Sequence, residues 1–136
     1  MAIIIAKNYK VTYKVQGWDW QQPNRNGRIY SRKLVESAIE QCAKPIYVTL
    51  DTPYENSVDI NKICGTVIEF DFQQDAVVAE IAISDTPIGK VLSTLFESGV
   101  KLELVSCGTG FVASDGTISD YSLLCLAFVP VGSKSI

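Results

Sequence analysis

The sequence predicts an α+β domain: a mostly antiparallel β sheet or barrel of about seven strands with two helices packed on it. Alternating apolar runs recur between turn-forming residues, and two other stretches carry apolar side chains at helical spacing between recognisable caps. The 136 residues are 47% hydrophobic, enough for one core and too few for two. A single domain over residues 1–136 is therefore the expectation.

Taken in order, Ile3, Ile4 and Ile5 suggest an edge strand or an intersubunit contact. Tyr9 to Val15 alternates, placing Tyr9, Val11, Tyr13 and Val15 on one strand face. From Gly17 to Gly27 the chain is rich in breakers and carries Trp18 and Trp20, which either fold back on the core edge or face a partner. Ser31 can cap a helix from about Arg32 to about Cys42, with Leu34, Val35, Ala38, Ile39 and Cys42 on one face. Pro45 ends it, Ile46 to Leu50 reads as a short buried strand, and a loop runs from Asp51 to about Asn61.

Ile63–Phe72 and Ala76–Ile83 form a hairpin around residues 73–75. Ile68, Phe70 and Phe72 alternate on its first arm, and Val77, Ala79, Ile81 and Ile83 on its second. Thr86 as N-cap, Pro87 at the first helical position and Gly99 as stop bound the clearest helix, whose apolar face is Ile88, Val91, Leu92, Leu95 and Phe96. The strand from Lys101 then runs into Ser106, Cys107 and Gly108-Thr109-Gly110. Phe111–Ala113 and Ile118–Val129 flank the Asp115-Gly116 turn. The last strand is apolar on both faces, which suits a central position.

Composition removes several function classes. A net charge of -3 offers no attraction for nucleic acid. No apolar run reaches the ~18 residues of a membrane span. The start lacks the features of a secretion signal, so Cys42, Cys64, Cys107 and Cys125 are expected as free thiols in a reducing, intracellular setting. They form no Cys-x-x-Cys pair, and no cofactor or metal site is indicated. The chain contains no histidine, so a Ser-His-Asp or Cys-His relay cannot be built within it.

Ser106 and Cys107 nevertheless sit where a strand meets glycines, so a hydroxyl and a thiol are presented next to backbone amides that a ligand can approach. Such a stretch is equally a plain strand ending in a bulge. A Cys107 nucleophile would need a nearby lysine, Lys90 or Lys101, or the amides of Gly108 and Gly110 to lower its thiol pKa; otherwise Cys107 is a buried, inert thiol.

Three phrases occur together in order: Asn26-Gly-Arg-Ile-Tyr-Ser-Arg-Lys-Leu34, Asp85-Thr-Pro-Ile-Gly-Lys-Val-Leu92, and Gly99-Val-Lys-Leu-Glu-Leu-Val-Ser-Cys-Gly-Thr-Gly110. From about Gly17 to about Pro130 the chain resembles the prohead (capsid maturation) proteases of tailed bacteriophages, whose fold is similar to that of herpesvirus assemblins. In that family the loop after the Ile46–Leu50 strand carries the catalytic histidine in Asp-His-Pro, and the nucleophilic serine lies in Ser-Ser-Arg-Gly-x-Gly. This chain has Asp51-Thr52-Pro53 and Val105-Ser106-Cys107-Gly108-Thr109-Gly110, keeping the serine but placing Thr52 at the histidine and Cys107 at the arginine.

The resemblance thus implies a protease scaffold with vestigial positions Ser106, Thr52 and Cys107. The function expected is a non-catalytic structural or assembly protein of a tailed-phage virion, in a minor capsid, cement or decoration role. Its partners would be the major capsid protein or other virion proteins, and Trp18 and Trp20 are candidate contacts. A homo-oligomer is expected, located in the virion and in the host cytoplasm during assembly. The alternatives are an active maturation protease using Ser106, and a regulatory or host-interaction protein that is absent from particles. The same reading expects Ser106 and Thr52 to lie close in space.

Overall fold

A computed structural model describes residues 10–20 and 22–132; the Ile3–Ile5 expectation lies outside them. Six strands form a closed barrel: β1 (Lys10–Gln16), β2 (Tyr47–Leu50), β3 (Ile63–Phe72), β4 (Val77–Ile83), β5 (Leu102–Val112) and β6 (Ile118–Pro130). Two helices join them, α1 (Arg32–Gln41) and α2 (Pro87–Glu97), and a 3-10 turn covers Ile60–Lys62. Around the barrel the order is β1-β4-β3-β2-β6-β5, with β5 returning to β1. The pairings β1/β5 and β2/β6 are parallel and the other four antiparallel. The sequence suggested about seven strands; among the described residues there are six, because the stretch expected as a separate strand at Phe111 continues β5 to Val112.

The period-2 pattern of β4 is realised in full, with Val77, Ala79, Ile81 and Ile83 all buried. In β3 it is not. Val67 pairs with Ile81 and Glu69 with Glu80, so Ile68 is the extra residue of a bulge and is turned out to 45% exposure. Phe70 and Phe72 keep their half-buried places, Phe70 tilted at 42° to Trp18 and Phe72 stacked on Trp20.

Both helices begin as their caps dictate: Ser31 accepts from the Leu34 N–H and Thr86 from the Gly89 N–H. Helix α1 buries Val35 and Ala38 and packs against β6. Helix α2 buries Leu92 against the β3/β4 side, while Val91, expected on the apolar face, is 45% exposed. Strand β6 is buried on both faces from Cys125 to Val129. Leu126 and Phe128 join the main core, whereas Ala127 and Val129 form a second cluster with Val105. Tyr13, Phe96 and Phe128 meet at centroid distances of 4.9–5.7 Å, tying β1, α2 and β6 together.

Trp18 is the largest fully buried side chain. It is therefore a core residue and not the surface contact that the sequence allowed, because Gly17, at φ 90°, turns the chain as β1 ends and directs the indole to Phe70. Trp20 lies half-buried, its ring parallel to that of Phe72 within 8°.

A serine cleft without a base

The cleft at Ser106 is assembled from three pieces of chain. The first is β5 itself, where Ser106 faces Leu126 of β6 and Cys107 faces Cys125. Register shifts on either side of Gly108 loosen the ladder there, and a side chain at Gly108 would come within 2.2 Å of the Ser122 carbonyl. Glycine is therefore required for β5 and β6 to approach.

The second piece is the turn after β2. Strand β2 lies parallel to β6, opposite β5, and at Asp51 the backbone enters the left-handed region at φ 74°. Three hydrogen bonds hold that turn. The Asp51 N–H donates to Phe128 O (2.8 Å), the Thr49 hydroxyl to Asp51 O (2.7 Å), and the Thr52 N–H to the Asp51 carboxylate (2.8 Å). Thr52 and Pro53 thereby reach the same cleft as Ser106.

The third piece is the loop before α1. The Asn24 carboxamide oxygen accepts from the N–H groups of Asn26 (2.9 Å) and Arg28 (3.0 Å), curling the loop on itself. The loop is then pinned to the β5/β6 turn, since Ile29 N–H donates to Gly116 O (2.7 Å) and Ile118 N–H to Ile29 O (3.0 Å). Arg28 and Tyr30 are delivered to the cleft, and Tyr30 meets Tyr121 edge-on at 5.2 Å.

The result is a cavity of about 260 Å³ lined by Arg28, Tyr30, Thr52, Pro53, Asn56, Ser106, Cys107, Gly108 and Tyr121. Ser106, Thr52 and Cys107 share it, so Ser106 and Thr52 lie near one another as the resemblance implied; Trp18 and Trp20 are not part of it. Arg28, Tyr30, Asn56 and Tyr121 were not singled out as site residues. Arg28 and Tyr30 stand inside the first quoted phrase, whereas Asn56 and Tyr121 gave no signal, being a loop polar residue and one position of an apolar strand.

None of these lining side chains is a histidine or a carboxylate, so none is a base of ordinary strength near neutral pH. The Cys107 thiol is driven far above its usual range by its hydrogen bond with Cys125, by burial, and by the negative charges of Cys125 and Asp51. Cys125, which that hydrogen bond favours as the thiolate, has no exposed surface and does not line the cleft. Burial raises Tyr30 despite the Arg28 guanidinium beside it. Burial likewise raises Tyr121, whose hydroxyl makes no hydrogen bond of ordinary geometry although Ser106 is near enough to oppose part of the rise.

No family model matches the chain, and no curated protein does. Among solved structures, the barrel is similar to the capsid assembly protease gp21 of bacteriophage T4, with a TM-score of 0.75 and 16% identity over 87% of this chain and 80% of that one. This chain therefore has a fold like that of a phage capsid assembly protease, an α+β closed barrel with two helices.

Proposed function

We propose that this chain is a non-catalytic structural or assembly protein of a tailed-phage particle, built on a prohead-protease scaffold. One observation carries the reading: the cleft that holds Ser106 contains no group able to take its proton. Thr52 stands where the resemblance puts a histidine, and a threonine hydroxyl is no base near neutral pH. In the Ser-His-Asp template, loss of a triad member removes most of the rate and leaves only what binding and oxyanion stabilisation supply, ~10³–10⁴-fold over water. The cysteine route is weak for a separate reason, since Cys107 is held as the thiol.

The role that follows is binding to the major capsid protein or other virion proteins, as a minor capsid, cement or decoration component. It would act in the virion and, during assembly, in the host cytoplasm, with an oligomeric state imposed by the shell. The competing reading is an active maturation protease using Ser106, and the serine's position in a cleft speaks for it.

Incubation of the purified chain with scaffold and capsid peptides separates the two. Intact peptides, with a fixed copy number in purified virions by mass spectrometry, are the expected result. Cleavage abolished by Ser106→Ala would sink the assembly reading. Absence from virions without cleavage would instead favour a regulatory or host-interaction role.

A further inference from the structure

Four free cysteines allow several pairings, and sequence does not choose among them. The barrel does. Cys107 and Cys125 are direct cross-strand partners in the antiparallel β5/β6 pair. Opposed residues in such a ladder have Cα atoms ~4.5 or ~5.5 Å apart, and both spacings fall inside the ~4.4–6.8 Å that a disulfide spans. Direct opposition in the ladder puts the two side chains on the same face of the β5/β6 pair. The shift at Cys107/Gly108 gives the strands local freedom to close the small remaining gap.

Access is unequal in a useful way. Cys107 lines the cleft and is half-buried, whereas Cys125 is fully buried behind it. Cys64 is fully buried and donates to Val48 O at 3.4 Å; Cys42 sits against Leu124 O at 4.0 Å, off any strand. Neither has a cysteine opposite it in a ladder.

We propose that Cys107 and Cys125 form a reversible dithiol/disulfide site in the wall of the Ser106 cleft, entered by small disulfides through Cys107. The pair reacts from its singly ionised form with the charge on Cys125: the Cys107 sulfur attacks one sulfur of a low-molecular-weight disulfide such as glutathione disulfide while its proton passes to Cys125. A Cys107 mixed disulfide forms, and one glutathione leaves as the thiolate and takes a proton from water. Cys125 then attacks the Cys107 sulfur, forming the cross-strand bond and expelling the second glutathione with its proton. Two protein thiols lose two electrons in all, and one disulfide becomes two thiols. The inference depends on the β5/β6 register alone, so it stands or falls independently of the assembly reading.

The test incubates the full chain with glutathione disulfide, blocks remaining thiols with iodoacetamide, and maps peptides by mass spectrometry before and after dithiothreitol. The expected product links Cys107 to Cys125, leaves Cys42 and Cys64 alkylated once the chain is unfolded, and melts about 5 °C or more above the reduced form because the closed loop restricts the unfolded chain. Cys125→Ser should stop at one glutathione on Cys107, and Cys107→Ser should take up none while folded. The proposal is overturned if wild type forms no internal disulfide, if the link involves Cys42 or Cys64, or if Cys107→Ser is modified at Cys125. Should a serine variant fail to fold, the wild-type peptide map and melting shift decide alone.

Discussion

Replacing Trp18 by alanine separates a core tryptophan from a partner-facing one. The indole is fully buried. Burying ~150–250 Å² at ~25 cal/mol per Å² contributes about 4–6 kcal/mol as an upper bound. Against this, the indole N–H is buried without a hydrogen-bond partner, a cost of about 1–3 kcal/mol that the substitution removes. The expected loss is about 3–4 kcal/mol, within the range for emptying a tryptophan site, and corresponds to about 10–15 °C in melting temperature. Trp18→Phe keeps an aromatic ring beside Phe70 and discards the unpaired N–H, so it should stay within about 1 kcal/mol of wild type. Urea and thermal unfolding followed by circular dichroism measure both, with sedimentation run in parallel. A Trp18→Ala loss below about 1 kcal/mol, together with weakened self-association, would refute the core assignment.

Glycine to alanine usually stabilises a helix by about 0.5–1 kcal/mol, but Gly89→Ala should destabilise this protein by about 2–3 kcal/mol. Its new Cβ would lie 1.9 Å from the Ser84 carbonyl, beside the Thr86 cap, and denaturant unfolding reads the sign directly. Gly116→Ala combines φ +93° with a contact of 2.0 Å to the Gly27 carbonyl. It should cost about 2–4 kcal/mol and release the loop that carries Arg28, visible as faster amide exchange at Ile29. Alkaline pH supplies another check. Burial pushes the Cys64 thiol from 9.0 up to about 12, so above pH 9 the unfolded chain loses this proton before the folded one and stability falls. Up to about pH 12 that group alone contributes a loss of ~1.4 kcal/mol per pH unit. Cys64→Ala should flatten the slope by that amount, and an unchanged slope would show that Cys64 is not held as the thiol.

What was legible in the sequence was what depends on neighbours along the chain. The caps at Ser31 and Thr86, the alternation of β4 and the two apolar faces of β6 each follow from local periodicity and hydrogen bonding, and the structure repeats them. Ser106 and Cys107 stood out where a strand meets glycines, Thr52 came only from the resemblance, and the three line one cleft. Less legible was anything set across strands. The bulge at Ile68 is created by pairing with Ile81 and Glu80, so a perfect alternation in β3 gave the wrong face for that residue. Trp18 and Trp20 looked alike in a loop, yet one entered the core and the other a surface stack.

The fold class and the lack of a histidine relay within this chain were readable from the residues alone, since folding cannot supply a residue the chain does not contain. What surrounds Ser106 emerged only from the folded barrel. Arg28, Asn56 and Tyr121 reach it from loops and strands far apart in the chain. Cys107 acquires its partner, and its hold on its proton, from a strand eighteen positions on, because cross-strand register is fixed by closing the barrel and not by local spacing.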